Sequence, residues 1–291
     1  MSEKDGVTAL SVPVGLWRPE AKLGHYARAM RLGRIASPDG VAFVSIEGDP
    51  SEAVCKEIAE HPFGNPTFTG RAWPLADVRL LSPILASKVV CMGKNYAAHA
   101  AEMGGTAPED PVIFLKPNTA IIGPNTPIQL PAEAYPVHHE GELAAVIGRP
   151  CKDVPASRAA ENILGYTIAN DVSARDQQKK DGQWMRAKGH DTFCPVGPWI
   201  VTDLDPSDLD LRTEVNGRTR QHSNTALMIH DIGAIIEWVS EVMTLLPGDL
   251  ILTGTPEGVG PIEDGDTVSV TISGIGTLTN PVVRKGLKGN K

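Results

Sequence analysis

Short apolar stretches bounded by turns recur along the chain, and this pattern favours strands over long helices. A Pro-Asp-Gly turn at residues 38–40 separates two of these stretches and predicts a hairpin. The pattern as a whole predicts strands at residues 30–35, 41–46, 88–92, 111–115, 143–147, 165–170, 249–253 and 267–272. We therefore expect an α+β protein that is predominantly β.

Helical patterns are fewer than strand patterns. Apolar residues recur at helical spacing through residues 229–245, and an Ala-rich segment at 97–103 is stopped by two glycines. Segments 52–60 and 156–162 are candidates for short helices. Residues 62–74 contain three prolines and two glycines, so we predict a loop there.

The sequence pattern divides the chain into three parts. Residues 1–29 are predicted to be an N-terminal extension, because the first strand pattern begins at residue 30. Residues 30–83 are predicted to form a small, β-rich N-terminal domain. Residues 84–291 are predicted to form the larger domain, and the motifs described next lie within it.

Composition and charge exclude several classes of partner. The 291 residues carry a formal net charge of −8 without a basic run, so we expect no nucleic-acid partner. No apolar run is long enough to span a membrane, and the charged first 15 residues do not form a signal peptide. The four cysteines lack CxxC spacing, and we expect them to be reduced thiols in a cytoplasmic protein.

An acidic cluster is the strongest chemical signal. Glu140 and Glu142 precede an apolar strand, and residues two apart on a strand share a face. Asp171 follows another apolar strand. A hard divalent cation is the usual partner of crowded carboxylates, and Mg²⁺, Mn²⁺ and Ca²⁺ all fit. The alternative is a solvated pair on an edge strand, with Asp171 capping a turn.

Two further features are candidates for chemistry. His99 and Glu102 lie three apart on the predicted Ala-rich helix, so the carboxylate can orient the imidazole as a general base. Thr255 follows an apolar strand in a Thr-Gly-Thr-Pro turn, whose amides and hydroxyl can bind an anion. The alternatives are a solvated helix pair and an ordinary tight turn.

Five motifs in order resemble the fumarylacetoacetate hydrolase family, especially bacterial members of the 2-hydroxyhepta-2,4-diene-1,7-dioate isomerase and acylpyruvate hydrolase type. Along the chain they are Gly-Lys-Asn-Tyr-Ala-Ala-His at 93–99, Phe-Leu-Lys-Pro at 114–117, His-His-Glu-Gly-Glu-Leu at 138–143, Asn-Asp-Val-Ser-Ala-Arg-Asp at 170–176 and Thr-Gly-Thr-Pro-Glu-Gly-Val-Gly at 253–260. The resemblance covers roughly residues 84–283. It implies a mixed β-roll catalytic domain, the small N-terminal domain, a Mg²⁺ or Mn²⁺ site and a homodimer.

The resemblance also implies roles for individual residues. It assigns the cation to Glu140, Glu142 and Asp171, which the residue pattern had already singled out. It places His99 and Glu102 on a lid that activates water, and Lys188 beside the cation. It assigns substrate contacts to Arg175, Gln178 and Thr255. The hard-oxygen donor set argues against a histidine ligand, so His139 is a further candidate, which could orient Glu140 or contact the substrate. Lys116 would lie behind the ligands or serve the structure alone.

The function that follows is hydrolysis of a C–C bond in a 2,4-dioxo acid of the acylpyruvate or fumarylpyruvate type, through an enolate. Isomerisation of 2-hydroxyhepta-2,4-diene-1,7-dioate and decarboxylation of a 2-oxo acid such as oxaloacetate use the same enolate chemistry and stay open. A protein that only binds a 2-oxo acid at a retained cation site is the alternative outside enzymology.

Overall fold

The computed structural model describes residues 29–284 and residue 286. Nearly all of the predicted extension 1–29 therefore lies outside the described residues. Strands dominate the described part, which confirms the predominantly β prediction. The strands are β1 (Arg31–Ser37), β2 (Gly40–Glu47), β3 (Val54–Ile58), β4 (Phe68–Pro74), β5 (Arg79–Leu80), β6 (Val89–Gly93), β7 (Val112–Lys116), β8 (Ile121–Ile122), β9 (Ile128–Leu130), β10 (Val137–His139), β11 (Gly141–Ile147), β12 (Ile163–Asn170), β13 (Ser173–Ala174), β14 (Cys194–Val201), β15 (Asp210–Val215), β16 (Arg218–Asn224), β17 (Leu250–Leu252), β18 (Gly260–Pro261), β19 (Thr267–Ile272) and β20 (Gly276–Arg284).

Helices are short and few among the described residues. The α-helices are α1 (Ala97–Glu102), α2 (Arg175–Asp181), α3 (Met185–Lys188) and α4 (Ile232–Val242), and 3-10 turns span Leu75–Asp77, Asn118–Ala120, Ala156–Asn162 and Thr225–Leu227. Helix α4 begins later than predicted because the Asp231 carboxylate caps it by accepting from the amide of Ala234. No helix of the described part is long and apolar enough to cross a membrane.

The largest sheet runs through both the N-terminal segment and the larger domain. Its strand order is β4-β3-β2-β1-β14-β12-β11-β17-β6-β7, with β5 added beside β1 and β8 beside β14. Strand β1 pairs antiparallel with the end of β14, where Arg31 is opposite Val201. Two smaller sheets have the orders β16-β15-β19-β20-β9 and β13-β10-β18. The N-terminal segment thus extends the central sheet by main-chain hydrogen bonds.

Strand β11 lies between two parts of the hydrophobic core. Leu143, Ala145 and Ile147 face the cluster that contains α4 and β19. Ala144 and Val146 face the other cluster, with β6 and β14. Every residue of the strand is buried, as expected for a strand that is covered on both faces.

Two predictions for the N-terminal segment are wrong. Residues 52–60 do not form a helix, since strand β3 occupies Val54–Ile58. The pattern was obscured by Glu57, a charged residue that is buried because Arg71 and Thr69 hydrogen bond its carboxylate. Residues 62–74 are not all loop, because β4 pairs with β3. Strand β4 is an edge strand with mostly exposed side chains, so it shows no apolar alternation.

The close pairing of β12 with β14 generates a test of the fold. A Cβ atom at Gly165 would lie 2.4 Å from the carbonyl oxygen of Val201. We expect Gly165→Ala to lower the free energy of unfolding by about 1–3 kcal/mol, because the backbone must shift to relieve the overlap. Urea denaturation measures the change. Gly286→Ala, where no described atom lies within 4 Å of a Cβ, is the control and should be neutral.

Candidate metal centre and active site

The pairing of β11 with β12 brings the three carboxylates together. Gly141 is opposite Asn170, so Glu142 on β11 and Asp171 after β12 lie at the same end of the pair. The amide of Asp171 donates to the carbonyl oxygen of Glu140 over 2.8 Å. Oxygens of Glu140, Glu142 and Asp171 lie within 4.8 Å of one another, and all three residues are buried.

Three cationic side chains surround two of these carboxylates. Lys188 Nζ lies 2.7 Å from Glu140 Oε2 and 2.6 Å from Asp171 Oδ2. Lys116 Nζ lies 2.5 Å from Asp171 Oδ1, and Arg175 Nη2 lies 2.5 Å from Glu140 Oε1. Lys188 is therefore beside the acidic cluster, as expected from the family resemblance. Lys116 holds a ligand candidate directly.

Glu142 is different from the other two carboxylates because no lysine or arginine of the described residues pairs with it. Its Oε2 accepts from the amide of Gly254 over 2.8 Å, while its Oε1 is buried without a hydrogen-bond partner among them. Burial, followed by repulsion from Asp171 and Glu140, raises the pKa of Glu142 well above its usual value. Burial also opposes ionisation of Glu140, but Lys188 and Arg175 outweigh it and lower the pKa of that carboxyl.

The carboxylate cluster fits a divalent cation. An unpaired buried carboxylate oxygen is costly, and a hard cation satisfies it while removing the repulsion among the three groups. The donor atoms are all carboxylate oxygens, which suit Mg²⁺, Mn²⁺ or Ca²⁺. Glu140, Glu142 and Asp171 are the residues that could hold it.

The predicted pairing of His99 with Glu102 is present on α1. His99 Nδ1 lies 3.2 Å from Glu102 Oε2, and His99 is buried. When Nδ1 carries the hydrogen of this contact, Nε2 keeps a lone pair that can accept a proton. The Glu102 carboxylate also accepts from the amide of Gly258, at 3.1 and 3.2 Å. Glu102 therefore orients the imidazole and docks α1 on the loop after β17.

A cavity of about 540 Å³ joins the base to the acidic cluster. Seven of the ten residues singled out from the sequence line it: His99, Glu140, Glu142, Arg175, Gln178, Lys188 and Thr255. Glu102 and Asp171 lie behind the wall and contact lining residues. Arg175 Nη1 donates to Gln178 Oε1 over 2.8 Å, so the two candidate substrate contacts are themselves connected.

His139, like Glu102 and Asp171, does not line the cavity. It is fully buried, and its Nδ1 lies 3.3 Å from Gln221 Oε1. Burial lowers its pKa to about 4, so the ring is neutral. The neighbouring His138 lines the cavity instead. A substrate in this cavity would meet His138 first, and the substrate contact of His139 stays a prediction.

Several cavity residues were not singled out from the sequence as site residues. Phe114 and Trp184 pack edge to face with ring centroids 5.2 Å apart, and Lys188 Nζ lies 5.0 Å from the Phe114 ring centre. Lys94 follows β6 with a positive φ of 57°, and Lys179 lies on α2. Lys94 and Phe114 do occur in the motifs that carry the resemblance, which was the available signal.

The family model described as fumarylacetoacetate (FAA) hydrolase C-terminal matches residues 88–283. This chain belongs to the fumarylacetoacetate hydrolase family. A second model, described as Rv2993c-like, N-terminal, matches residues 30–83 of this family member. The resemblance inferred from the five motifs is confirmed.

Two curated relatives of this fumarylacetoacetate hydrolase family member are informative. Protein Rv2993c of Mycobacterium tuberculosis is 80% identical over 263 residues, which is 88% of this chain and 99% of that protein. The mitochondrial oxaloacetate tautomerase fahd2 of Xenopus laevis is 44% identical over 221 residues, which is 72% of this chain and 69% of that protein.

Solved structures of the family carry both isomerase and hydrolase names. A 5-carboxymethyl-2-hydroxymuconate delta-isomerase from Mycobacterium smegmatis is 83% identical, with a TM-score of 0.84 over 88% of this chain and 100% of its own. A 2-hydroxyhepta-2,4-diene-1,7-dioate isomerase from Mycobacterium marinum is 77% identical, with a TM-score of 0.84 over 89% and 100%. A maleylpyruvate hydrolase from Sphingobium sp. SYK-6 is 34% identical, with a TM-score of 0.73 over 88% and 100%.

The unequal pairing of the carboxylates predicts opposite effects of two similar substitutions. In chelator-treated protein near pH 7, Glu142→Gln should raise the free energy of unfolding by about 1–3 kcal/mol, because it removes a buried carboxyl group whose ionisation the fold opposes. The raised pKa of Glu142 means that its ionisation opposes folding increasingly as pH rises from the unfolded-state pKa to the folded-state pKa. Chemical denaturation measures the change.

Glu140→Gln is the matched control and should lower stability, because the lowered pKa of Glu140 means that its ionised form stabilises the fold above its unfolded-state pKa. Added Mn²⁺ should raise the melting temperature of the unsubstituted protein but not that of Glu142→Gln. A full Mn²⁺ response in Glu142→Gln would rule out Glu142 as a ligand.

Proposed function

We propose that this protein is a divalent-cation-dependent hydrolase that cleaves a C–C bond in a 2,4-dioxo acid of the acylpyruvate or fumarylpyruvate type. The observation that carries the proposal is the oriented His99–Glu102 pair on the same cavity as the buried carboxylate cluster. Binding of a 2-oxo acid alone needs no oriented base, so the pair favours an enzyme over a binding protein.

The residues divide the reaction between them. His99 Nε2 takes a proton from a water molecule, and the water oxygen forms a bond to the C4 carbonyl carbon. The C3–C4 bond then breaks, and its electron pair stays on C3 as an enolate that later takes up the proton. Mg²⁺ or Mn²⁺, when bound, supplies a Lewis acid for the 2-oxo group.

Lys188 is placed to stabilise the developing negative charge. An ammonium group has three hydrogens, and two of them are directed to Glu140 and Asp171. Since Lys188 also lines the cavity, its third hydrogen is available to an enolate oxygen. Its pKa is raised even though burial lowers it, because Asp171 and Glu140 outweigh the effect of burial. Lys188 therefore stays protonated.

Isomerisation or tautomerisation is the second candidate function. The support is that close structural relatives are named as isomerases and a curated relative as an oxaloacetate tautomerase. The same His99 could move a proton between substrate carbon or oxygen atoms without activating water. Decarboxylation of oxaloacetate would leave the same enolate after loss of CO₂.

One panel of substrates separates these reactions. The protein with Mg²⁺ is incubated with acetylpyruvate, fumarylpyruvate and oxaloacetate in D₂O, and products are followed by NMR and by loss of enol absorbance. New carboxylic acid plus pyruvate supports hydrolysis. Deuterium at C3 without cleavage supports the tautomerase, and pyruvate from oxaloacetate alone supports the decarboxylase. If no substrate reacted, the remaining alternative would be a protein that only binds a 2-oxo acid.

The base assignment predicts the behaviour of His99→Gln. This variant should lose roughly 10²–10⁴-fold in kcat for hydrolysis, because no other group takes the proton from water. Its Mn²⁺ affinity, measured by calorimetry, should be unchanged because His99 is not among the candidate ligands. Hydrolysis at the unsubstituted rate would exclude His99 as the base.

The charge of the cavity favours a substrate with two carboxylates. Lys94 and Lys179 line the cavity, and neither ammonium group has a hydrogen bond or an ion pair to residues 29–284 or 286. The other lining cations, Lys188 and Arg175, already pair with Glu140. A distal carboxylate would give the free lysines a partner, which favours the fumarylpyruvate type over a simple acylpyruvate.

Lys94→Met tests this preference. We expect the KM for a fumarylpyruvate-type diacid to rise by about 3–10-fold, which is the loss of one solvent-accessible charge contact. The KM for acetylpyruvate should change less than twofold. Lys180→Met, an exposed position on α2 outside the cavity wall, is the control. An equal rise in KM for both substrates would contradict a contact between Lys94 and a distal carboxylate.

A further inference from the structure

Gln221 is a fully buried glutamine in the middle of β16. It does not line the cavity, and its position opposite Thr213 on β15 places it in the five-stranded sheet rather than in the sheet that carries the carboxylates. All of its side-chain contacts nevertheless reach residues of the site or their neighbours.

The side-chain amide of Gln221 uses its full hydrogen-bonding capacity. Its Oε1 accepts from the amide of Gly141 over 3.0 Å and faces Nδ1 of His139 at 3.3 Å. Its Nε2 donates to Thr255 Oγ1 over 2.7 Å and to the carbonyl oxygen of Pro256 over 2.9 Å. The orientation is unique, because a backbone amide can only donate and a carbonyl can only accept.

These contacts form a closed ring with Thr255. The Thr255 hydroxyl accepts from Gln221 and donates to the carbonyl oxygen of Gly141 over 2.9 Å. Gly141 lies between the two glutamates of the carboxylate cluster, and Thr255 lines the cavity. The ring therefore connects the segment of the candidate ligands directly to the cavity hydroxyl.

The loop that carries Thr255 also packs tightly on β16. A Cβ atom at Gly258 would lie 2.1 Å from the carbonyl oxygen of Arg220, which is the residue before Gln221. The amide of Gly258 is the donor that holds Glu102. Gln221 thus holds the loop at the end where Thr255 lies, and the close contact with Arg220 holds it where α1 docks.

We propose that Gln221 is a positioning residue that fixes the distance between the Thr255 hydroxyl and the Glu140–Glu142 segment, and that it acts on substrate affinity through Thr255. This rests on the proposed function for its kinetic consequence, but not for the mechanical one. A purely structural glutamine would act on stability alone, and its effect would be independent of Thr255.

The mechanical part is tested by hydrogen–deuterium exchange of the full chain without substrate. Gln221→Leu should speed exchange in residues 254–260 by about tenfold, because two hydrogen bonds to the loop are lost. Thr213→Val is the matched control, since Thr213 is directly opposite Gln221 and its buried hydroxyl has no partner among the described residues. Unchanged exchange in Gln221→Leu would overturn the proposal.

The kinetic part is tested by a double-mutant cycle with Thr255→Val, on a substrate that the unsubstituted protein turns over. Gln221→Leu should raise KM about tenfold while kcat changes less than about threefold. In the Thr255→Val background the same substitution should raise KM by less than about a further twofold, because its effect passes through the Thr255 hydroxyl. If the KM increase of the double variant equalled the product of the two single increases, coupling through Thr255 would be contradicted.

A second variant covers the case in which Gln221→Leu does not fold. Gln221→Glu keeps the side-chain length and an oxygen for the Gly141 amide, but a carboxylate cannot donate to Thr255. It should show the same exchange and the same coupling. If the unsubstituted protein is inactive on the whole panel, the proposed function fails, while the exchange result still decides the role of Gln221.

Discussion

The central constraint on this protein is the burial of three carboxylates within 4.8 Å of one another. The fold supplies three positive charges from three separate elements, with Lys116 at the end of β7, Arg175 at the start of α2 and Lys188 at the end of α3. These charges neutralise Glu140 and Asp171 and leave Glu142 without one. Glu142 therefore lacks a cationic side-chain partner among the described residues at the point where a divalent cation fits.

The same constraint explains why three sheets meet at the site. Strand β10 belongs to the three-stranded sheet and β11 to the largest one, so Glu140 lies where the chain passes between them. His139 on β10 reaches Gln221 of the five-stranded sheet. A short segment thus contacts all three sheets, and its geometry depends on their relative placement.

Much of the site could be predicted because local periodicity carried the information. The two-residue spacing of Glu140 and Glu142 and the three-residue spacing of His99 and Glu102 both describe faces of single elements. His138 lines the cavity and His139 does not, which agrees with the two-residue alternation that places Glu140 and Glu142 on one face of the chain. The assignment of Asp171 needed only the end of an apolar strand. The family resemblance added Lys188, which has no local pattern and is brought to the cluster by the packing of α3.

The remaining features depend on contacts between distant segments, which periodicity does not report. Gln221 has the appearance of an ordinary polar residue on an exposed hairpin, yet its partners are 34 to 82 residues away in sequence. Strand β3 was obscured by the burial of Glu57.

The pairing of β1 with β14 has a consequence for solubility. Strand β14 hydrogen bonds to β12 on one side, and its other side is covered by β8 at its start and by β1 at its end. Ile200 and Val201 would become an open apolar edge in a chain without residues 30–83, and such edges pair with other copies and aggregate. The N-terminal segment thus covers an apolar edge of the largest sheet.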